Sequence, residues 1–229
     1  RIKVDKINYY LVSLEELKEI KGRPSMLLHA CCGPCSTFPL TFLCPHFDVT
    51  IYYNNSNIFP EQEYSRRLEE LKKFLEYFKR DYGYDVKLII PKYDNKEYNQ
   101  FLSKYEGQKE GGERCFACYE KRMAEAYQFA EDNGYQYFST VMTVSRQKNS
   151  QKLNEIGKKL EKLHPNTKYF YSDFKKNKGQ DKVSEMRKFY NLYAQQYCGC
   201  YLSYREYLAR EENKKNKELL ENQNKQEKI

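Results

Sequence analysis

Met26–Ser36 reads MLLHACCGPCS. Its first half is a short apolar run stopped by Gly33-Pro34, which predicts a buried strand over Met26–Ala30 ending in a turn. Four more apolar runs of strand length follow: Phe47–Tyr53 (FDVTIYY), Val86–Ile90, Tyr135–Val141 and Lys168–Tyr171. Helical patterns separate them. Glu61–Tyr82 carries Leu68, Leu71, Leu75 and Phe78 at helical spacing, with Gly83 just beyond its end. Glu113–Asp132 repeats the pattern through Met123, Ala126, Tyr127 and Ala130. Ser13 and Glu16 form a capping box for a helix over Ser13–Ile20, and Ser150–Leu163, Asp181–Gln196 and Tyr201 onward complete the set. Strands alternating with helices predict one α/β domain, residues 1–209, built on a mainly parallel sheet. Residues 210–229 have almost no apolar face. They are expected as a charged C-terminal extension, either a frayed helix or a disordered tail.

A parallel sheet brings the loops after its strands to one edge, where open α/β folds build their sites. Cys31, Cys32 and Cys35 follow the first strand, and Asn54 and Asn57 follow the second. Ser145–Lys148 follows the fourth and Asp173 the fifth. All are expected to converge.

The chain has 229 residues, enough to bury a real core without disulfides. Its 40 Lys and Arg exceed its 32 Asp and Glu, for a formal charge of +8. That balance fits a polyanionic partner and fits a solvated basic surface equally well. No run of about 18 apolar residues exists, which excludes a membrane-spanning helix of ordinary kind. Charges recur through the first residues with no secretory apolar region, so a reducing, cytoplasmic compartment is expected. Eight cysteines then need another explanation than staples. They stand in tight groups, and such groups in a reducing compartment indicate metal or redox chemistry. No Walker loop and no G-x-G-x-x-G motif is present, so no nucleotide cofactor is expected.

Cys115-Phe116-Ala117-Cys118 places two thiols on one face of a helix start, where the helix N-terminus, Arg114 and Arg122 favour thiolates. Adjacent Cys31 and Cys32 chelate one small ion poorly but can bind two irons of a cluster. Together with Cys115 and Cys118 they make a four-thiolate set suited to a 4Fe–4S cluster. Four-cysteine zinc is the competing structural reading, and it would make the chain a zinc-binding nucleic-acid module without redox activity. Cys198-Gly199-Cys200 would close a strained, easily reduced bridge, which suits an electron relay; two further metal ligands are the alternative. Cys35 is a spare ligand for the cluster or a second metal, and Cys44 reads as a buried apolar residue. His29 either orients a neighbouring metal ligand through a hydrogen bond or is a satisfied core histidine. The 23 tyrosines and 13 phenylalanines read as packing more than as base-stacking surfaces.

Six strings carry a resemblance: HACCGPCS at His29–Ser36, YNNSNIFPEQEY at Tyr53–Tyr64, RCFACYEKRM at Arg114–Met123, SRQKN at Ser145–Asn149, DFKK at Asp173–Lys176 and YCGC at Tyr197–Cys200. In this order and spacing, over residues 23–208, they resemble the QueH-type epoxyqueuosine reductases. The resemblance implies reduction of epoxyqueuosine at the tRNA wobble position to queuosine and water, with an external electron donor. It also implies a fold similar to the adenine-nucleotide α-hydrolases, Rossmann-like relatives of the PP-loop enzymes. By the same resemblance Cys31, Cys32, Cys115 and Cys118 would bind a 4Fe–4S cluster and Cys198 and Cys200 would form a redox pair. A second, mononuclear iron or other metal is compatible with it, with Cys35 or Asp173 as ligands. Removing an epoxide oxygen as water takes two electrons and two protons, and Asp173, Glu63 and Tyr64 are the candidate proton donors. Asn54, Asn57 and Lys148 are candidates for holding the modified base, and Arg114, Lys175 and Lys176 suit phosphates. Two positions depart from the family habit: Ala194, where Arg is frequent, and Arg146, where Pro is common. A tRNA-thiolating PP-loop enzyme is the nearest rival, but CCGPCS is no glycine-rich ATP loop.

Overall fold

Five short strands, β1 (Ser25–His29), β2 (Asp48–Tyr52), β3 (Lys87–Ile89), β4 (Tyr137–Thr140) and β5 (Lys168–Tyr169), carry the architecture. In this computed structural model, which describes residues 6–226, they lie in the order β3-β2-β1-β4-β5 with every neighbouring pair parallel. Eight helices connect and cover them: α1 (Tyr9–Glu19), α2 (Gly33–Leu43), α3 (Glu61–Tyr82), α4 (Asn95–Ser103), α5 (Glu113–Asp132), α6 (Ser150–Leu163), α7 (Gly179–Phe189) and α8 (Tyr201–Gln226). This is the expected α/β architecture, an all-parallel Rossmann-like sheet with a C-terminal helix.

Alternation along β1 explains the layers. Met26 and Leu28 point to one face, against Leu40 of α2 and Leu71 and Phe74 of α3. Leu27 points to the other, against Met123 and Tyr127 of α5 and Leu153 of α6. Both faces are thus covered, which is why the central strand reads as a continuous apolar run. β1 and β4 are neighbours, with His29 opposite Thr140, while β1 also pairs with β2, with His29 opposite Tyr52. The strand order reverses at β1/β4. Open α/β sheets bind ligands in the crevice outside the carboxyl ends of such strands.

Two helices differ from expectation. Gly33-Pro34 opens α2 instead of forming a turn, with Cys32 as N-cap. Proline is tolerated in a first helical turn because its missing N–H has no partner there anyway. Gly33 is required by packing, since a Cβ would stand 2.9 Å from the Glu70 carbonyl oxygen of α3. The polar link before α5 contains α4, whose cap Asp94 accepts the Glu97 N–H at 3.1 Å and whose inner face buries Tyr98 and Leu102.

Smaller shifts affect the ends. α1 starts at Tyr9 behind Asn8, and Ser13 lies inside it, donating to the Tyr10 carbonyl oxygen at 2.7 Å. α7 stops at Phe189 rather than Gln196, leaving an irregular run into Cys198-Gly199-Cys200. Past Arg210 the chain continues α8 to Gln226, while residues 227–229 of the expected extension lie outside the described residues. Among the described residues no helix is long and apolar enough to cross a membrane.

Candidate active site

β1 ends at His29 and delivers its chain straight into the site. The Asn55 amide, in the loop after β2, donates to the Ala30 carbonyl oxygen at 2.7 Å and ties the exits of the two strands together. Cys31 follows in the β1–α2 junction. Cys32 caps α2, its sulfur accepting the Cys35 backbone N–H at 3.3 Å. The sulfurs of Cys31, Cys32 and Cys35 all lie within 4.8 Å of one another, and this group can hold a metal ion. Hydrogen bonds from the Cys32 and Cys35 thiols hold the Cys31 thiol well below its ordinary range. Cys35 is pushed up to about 12, chiefly by its bond to the Cys31 sulfur. Among the three thiols Cys31 is thus the one whose thiolate is favoured, the form that binds a soft metal.

A second thiol group lies on the other side of Arg122 and Lys148. Among the described residues only Cys31, Cys32 and Cys35 come, as a set of three, within 4.8 Å of one another, so Cys115 and Cys118 do not close one compact set with Cys31 and Cys32. Cys115 and Cys118 on the first turns of α5 line one cavity with Cys198 and Cys200. Three of the four sulfurs lie against a hydrogen-bonding neighbour. The Gly111 N–H points at the Cys115 sulfur at 3.1 Å, and the Tyr98 hydroxyl of α4 lies 3.3 Å from the Cys118 sulfur. The Ser203 N–H and hydroxyl both lie 3.4 Å from the Cys200 sulfur. Burial raises Cys115 and pushes Cys200 up to about 11. Cys198 is half-exposed whereas Cys200 is buried, so the pair has an outer and an inner member.

Two cations join the groups. Arg122 is fully buried, its Nε donating to the Cys118 carbonyl oxygen at 3.4 Å, and neighbouring thiols including Cys118, Cys198 and Cys31 hold its guanidinium above its ordinary range despite burial. Lys148 is likewise raised against the effect of burial by Cys198, Cys31 and Cys35. Both cations would offset the charge of a metal held by thiolates at this group. A third cation, fully buried, positions the last cysteine motif. Arg67 of α3 pairs with Glu63 at 2.7 Å and donates to the Cys198 and Tyr197 carbonyl oxygens, both at 2.9 Å. Gly199 sits at φ +132°, and a Cβ there would come within 3.1 Å of the Arg67 guanidinium. Glycine is the residue that fits.

The other expected residues fall in several places. Asn54 is buried, donating to the Arg122 carbonyl oxygen at 2.9 Å, and its own carbonyl oxygen has no partner. Asn57 is buried with an unpartnered carbonyl oxygen too. Asp173 is buried 3.8 Å from the Lys175 ammonium and is outside the three-thiol group. Lys148 and Lys175 line the same large cleft as Asp173. Glu63 is occupied by Arg67 and the Tyr193 hydroxyl. Arg114 is committed inside the fold to Glu206 and the Gln108 carbonyl oxygen. His29 is a core histidine, bonded to Thr140 at 2.9 Å and lowered to about 3 by burial. Cys44 is buried among apolar side chains, as read from the sequence.

Residues 26–206 match the family model for the epoxyqueuosine reductase QueH. The chain is 41% identical to the epoxyqueuosine reductase QueH of Staphylococcus aureus, over 87% of this chain and 85% of that protein. It is 40% identical to that of Staphylococcus epidermidis, over 87% and 86%, and 38% identical to that of Streptococcus pyogenes, over 87% and 77%. The chain belongs to the QueH family. Within this QueH chain all seven grouped cysteines lie inside the matched span. Arg67, Tyr98 and Asn55 went unread in the sequence. Arg67 carried a signal, being a cation four residues after Glu63 and next to Leu68 on the apolar face of an amphipathic helix. Tyr98 carried none, because α4 itself was hidden.

Proposed function

We propose that the chain reduces epoxyqueuosine at the wobble position of tRNA to queuosine, with release of water. The observation that carries this reading is the meeting of two thiol groups around Arg122 and Lys148 in a chain of the QueH family. The donor set fits an iron–sulfur cluster: soft thiols, one already favoured as thiolate, with buried cations to balance the charge. Cys31, Cys32, Cys115 and Cys118 are the residues we assign to it, with Cys35 beside them for a second metal. When bound, such a cluster supplies one-electron steps and an iron able to polarise an oxygen.

The rest belongs to the chain. Oxidation of two thiols to a disulfide releases two electrons and two protons, the amounts that convert an epoxide into an alkene and water. We assign this step to Cys198 and Cys200; the outer thiol opens to a cleft and the inner one lies against Ser203, which supports the assignment. An external dithiol or other two-electron donor then restores the pair. Lys148 stands at the border between the thiols and the large cleft, where it can hold an anionic or hydroxylated part of the substrate. Anaerobically prepared protein, given a reductant and tRNA bearing epoxyqueuosine, should yield queuosine by mass spectrometry of the digested RNA. Iron-loaded protein that leaves the epoxide intact would contradict the proposal.

A further inference from the structure

One loop, Ser145–Asn149, separates two clefts. Arg146 and Lys148 line the first, a space of about 870 Å³ shared with Lys175, Lys176, Asp173 and the start of α6 at Ser150. Gln147, between them in sequence, lines the second, about 570 Å³, together with Cys198, Tyr197, Tyr207 and Arg210. In the first cleft lysine and arginine outnumber carboxylates five to two. Part of this charge is built in, since the Lys175 ammonium bonds the Lys148 carbonyl oxygen at 2.9 Å and the Ser150 hydroxyl at 2.8 Å. The α6 N–H groups add partial positive charge at the same end. Arg146 and Lys176 are exposed there.

A width of one loop therefore divides a phosphate-friendly cleft from the cleft that opens onto the outer thiol. Phosphates along a nucleic-acid strand recur every few ångströms, and a strand crossing such a ridge leaves phosphates on one side and a nucleotide on the other. We propose that the basic cleft seats backbone phosphates of the RNA strand carrying the target nucleotide, and that this strand crosses Ser145–Asn149 so that the nucleotide reaches Cys198. The proposal rests on the tRNA reading given above. Free phosphate chemistry, as in inorganic phosphate or ATP, is the other source the same cleft accepts.

The test compares two double variants that remove equal charge. Arg146→Ala/Lys176→Ala changes the cleft; Lys158→Ala/Lys162→Ala changes exposed lysines farther along α6. Binding of a synthetic anticodon stem-loop RNA to the full chain is followed by fluorescence anisotropy across a salt series. The cleft variant should bind at least tenfold more weakly, with a log–log salt slope flatter by about 1 to 2, and the control variant should stay within about twofold of wild type. Equal weakening in both variants, or undiminished binding by the cleft variant, overturns the proposal and leaves the tRNA reading intact. Wild-type protein that binds no RNA overturns both. Inorganic phosphate or ATP that binds wild type but not the cleft variant, with RNA affinity unchanged between them, assigns the cleft to a free phosphate and overturns its RNA role.

Discussion

Arg67 ties α3 to the Cys198-Gly199-Cys200 turn through one planar guanidinium that serves Glu63 and two backbone carbonyls at once. Lysine keeps the charge but not the fork. Arg67→Lys should fold, cost about 1–3 kcal/mol in urea denaturation, and lower reductase turnover at least tenfold with iron content unchanged. Normal turnover in that variant would remove the positioning role. Glu16 makes a separate prediction about pH. Burial raises it from 4.5 to about 7, outweighing the Lys168 ammonium 3.8 Å away and the Tyr171 backbone, which pull the other way. The native state thus binds the Glu16 proton more tightly than the unfolded state. Its contribution is complete below pH 4.5 and fades as pH rises through about 7. Glu16→Gln should therefore match wild type at pH 4 and be more stable at pH 8, by about 3 kcal/mol on that shift. Thermal melts at the two pH values check it.

Helices α2 and α4 show what pattern alone does not reveal. In α2 the signals for a turn and for a helix start are the same residues, and the Cys32 cap and the close packing of Gly33 on Glu70 accompany the helix. α4 is short and largely polar, and its burial of Tyr98 depends on α5 and α8 being in place. By contrast α5 was readable, since its periodicity and both cysteines fall on one stripe. Its first turns carry Cys115, so Cys115→Ala should bleach the anaerobically purified protein and abolish turnover; retained colour and iron would remove Cys115 from the ligand set. α6 offers a packing test. Gly157 faces the Tyr169 ring of β5, and a methyl group there collides with it. Gly157→Ala should destabilise by about 1–3 kcal/mol, measured by chemical denaturation.

For the whole molecule, the strand order β3-β2-β1-β4-β5 does the assembling. It sets the exits of β1 and β4 side by side, so that motifs far apart in sequence share one edge. The approach of Lys148 to Cys31 and Cys35 was legible because both motifs follow a strand, whereas Asn54, which follows β2, lines a separate cleft. The division of the cysteines was not legible, since which thiols meet depends on how α5 and the run into α8 fold over the edge. Cys200→Ser should keep the chromophore and stop turnover, and an active variant would exclude the relay. We propose that these thiols hold an iron–sulfur centre. Iron, acid-labile sulfide and zinc per chain, measured on anaerobically purified protein together with EPR after dithionite, decide the matter. The protein should be brown, with about four irons and four sulfides and a reduced-cluster signal; a colourless, EPR-silent protein carrying only zinc would rule the centre out.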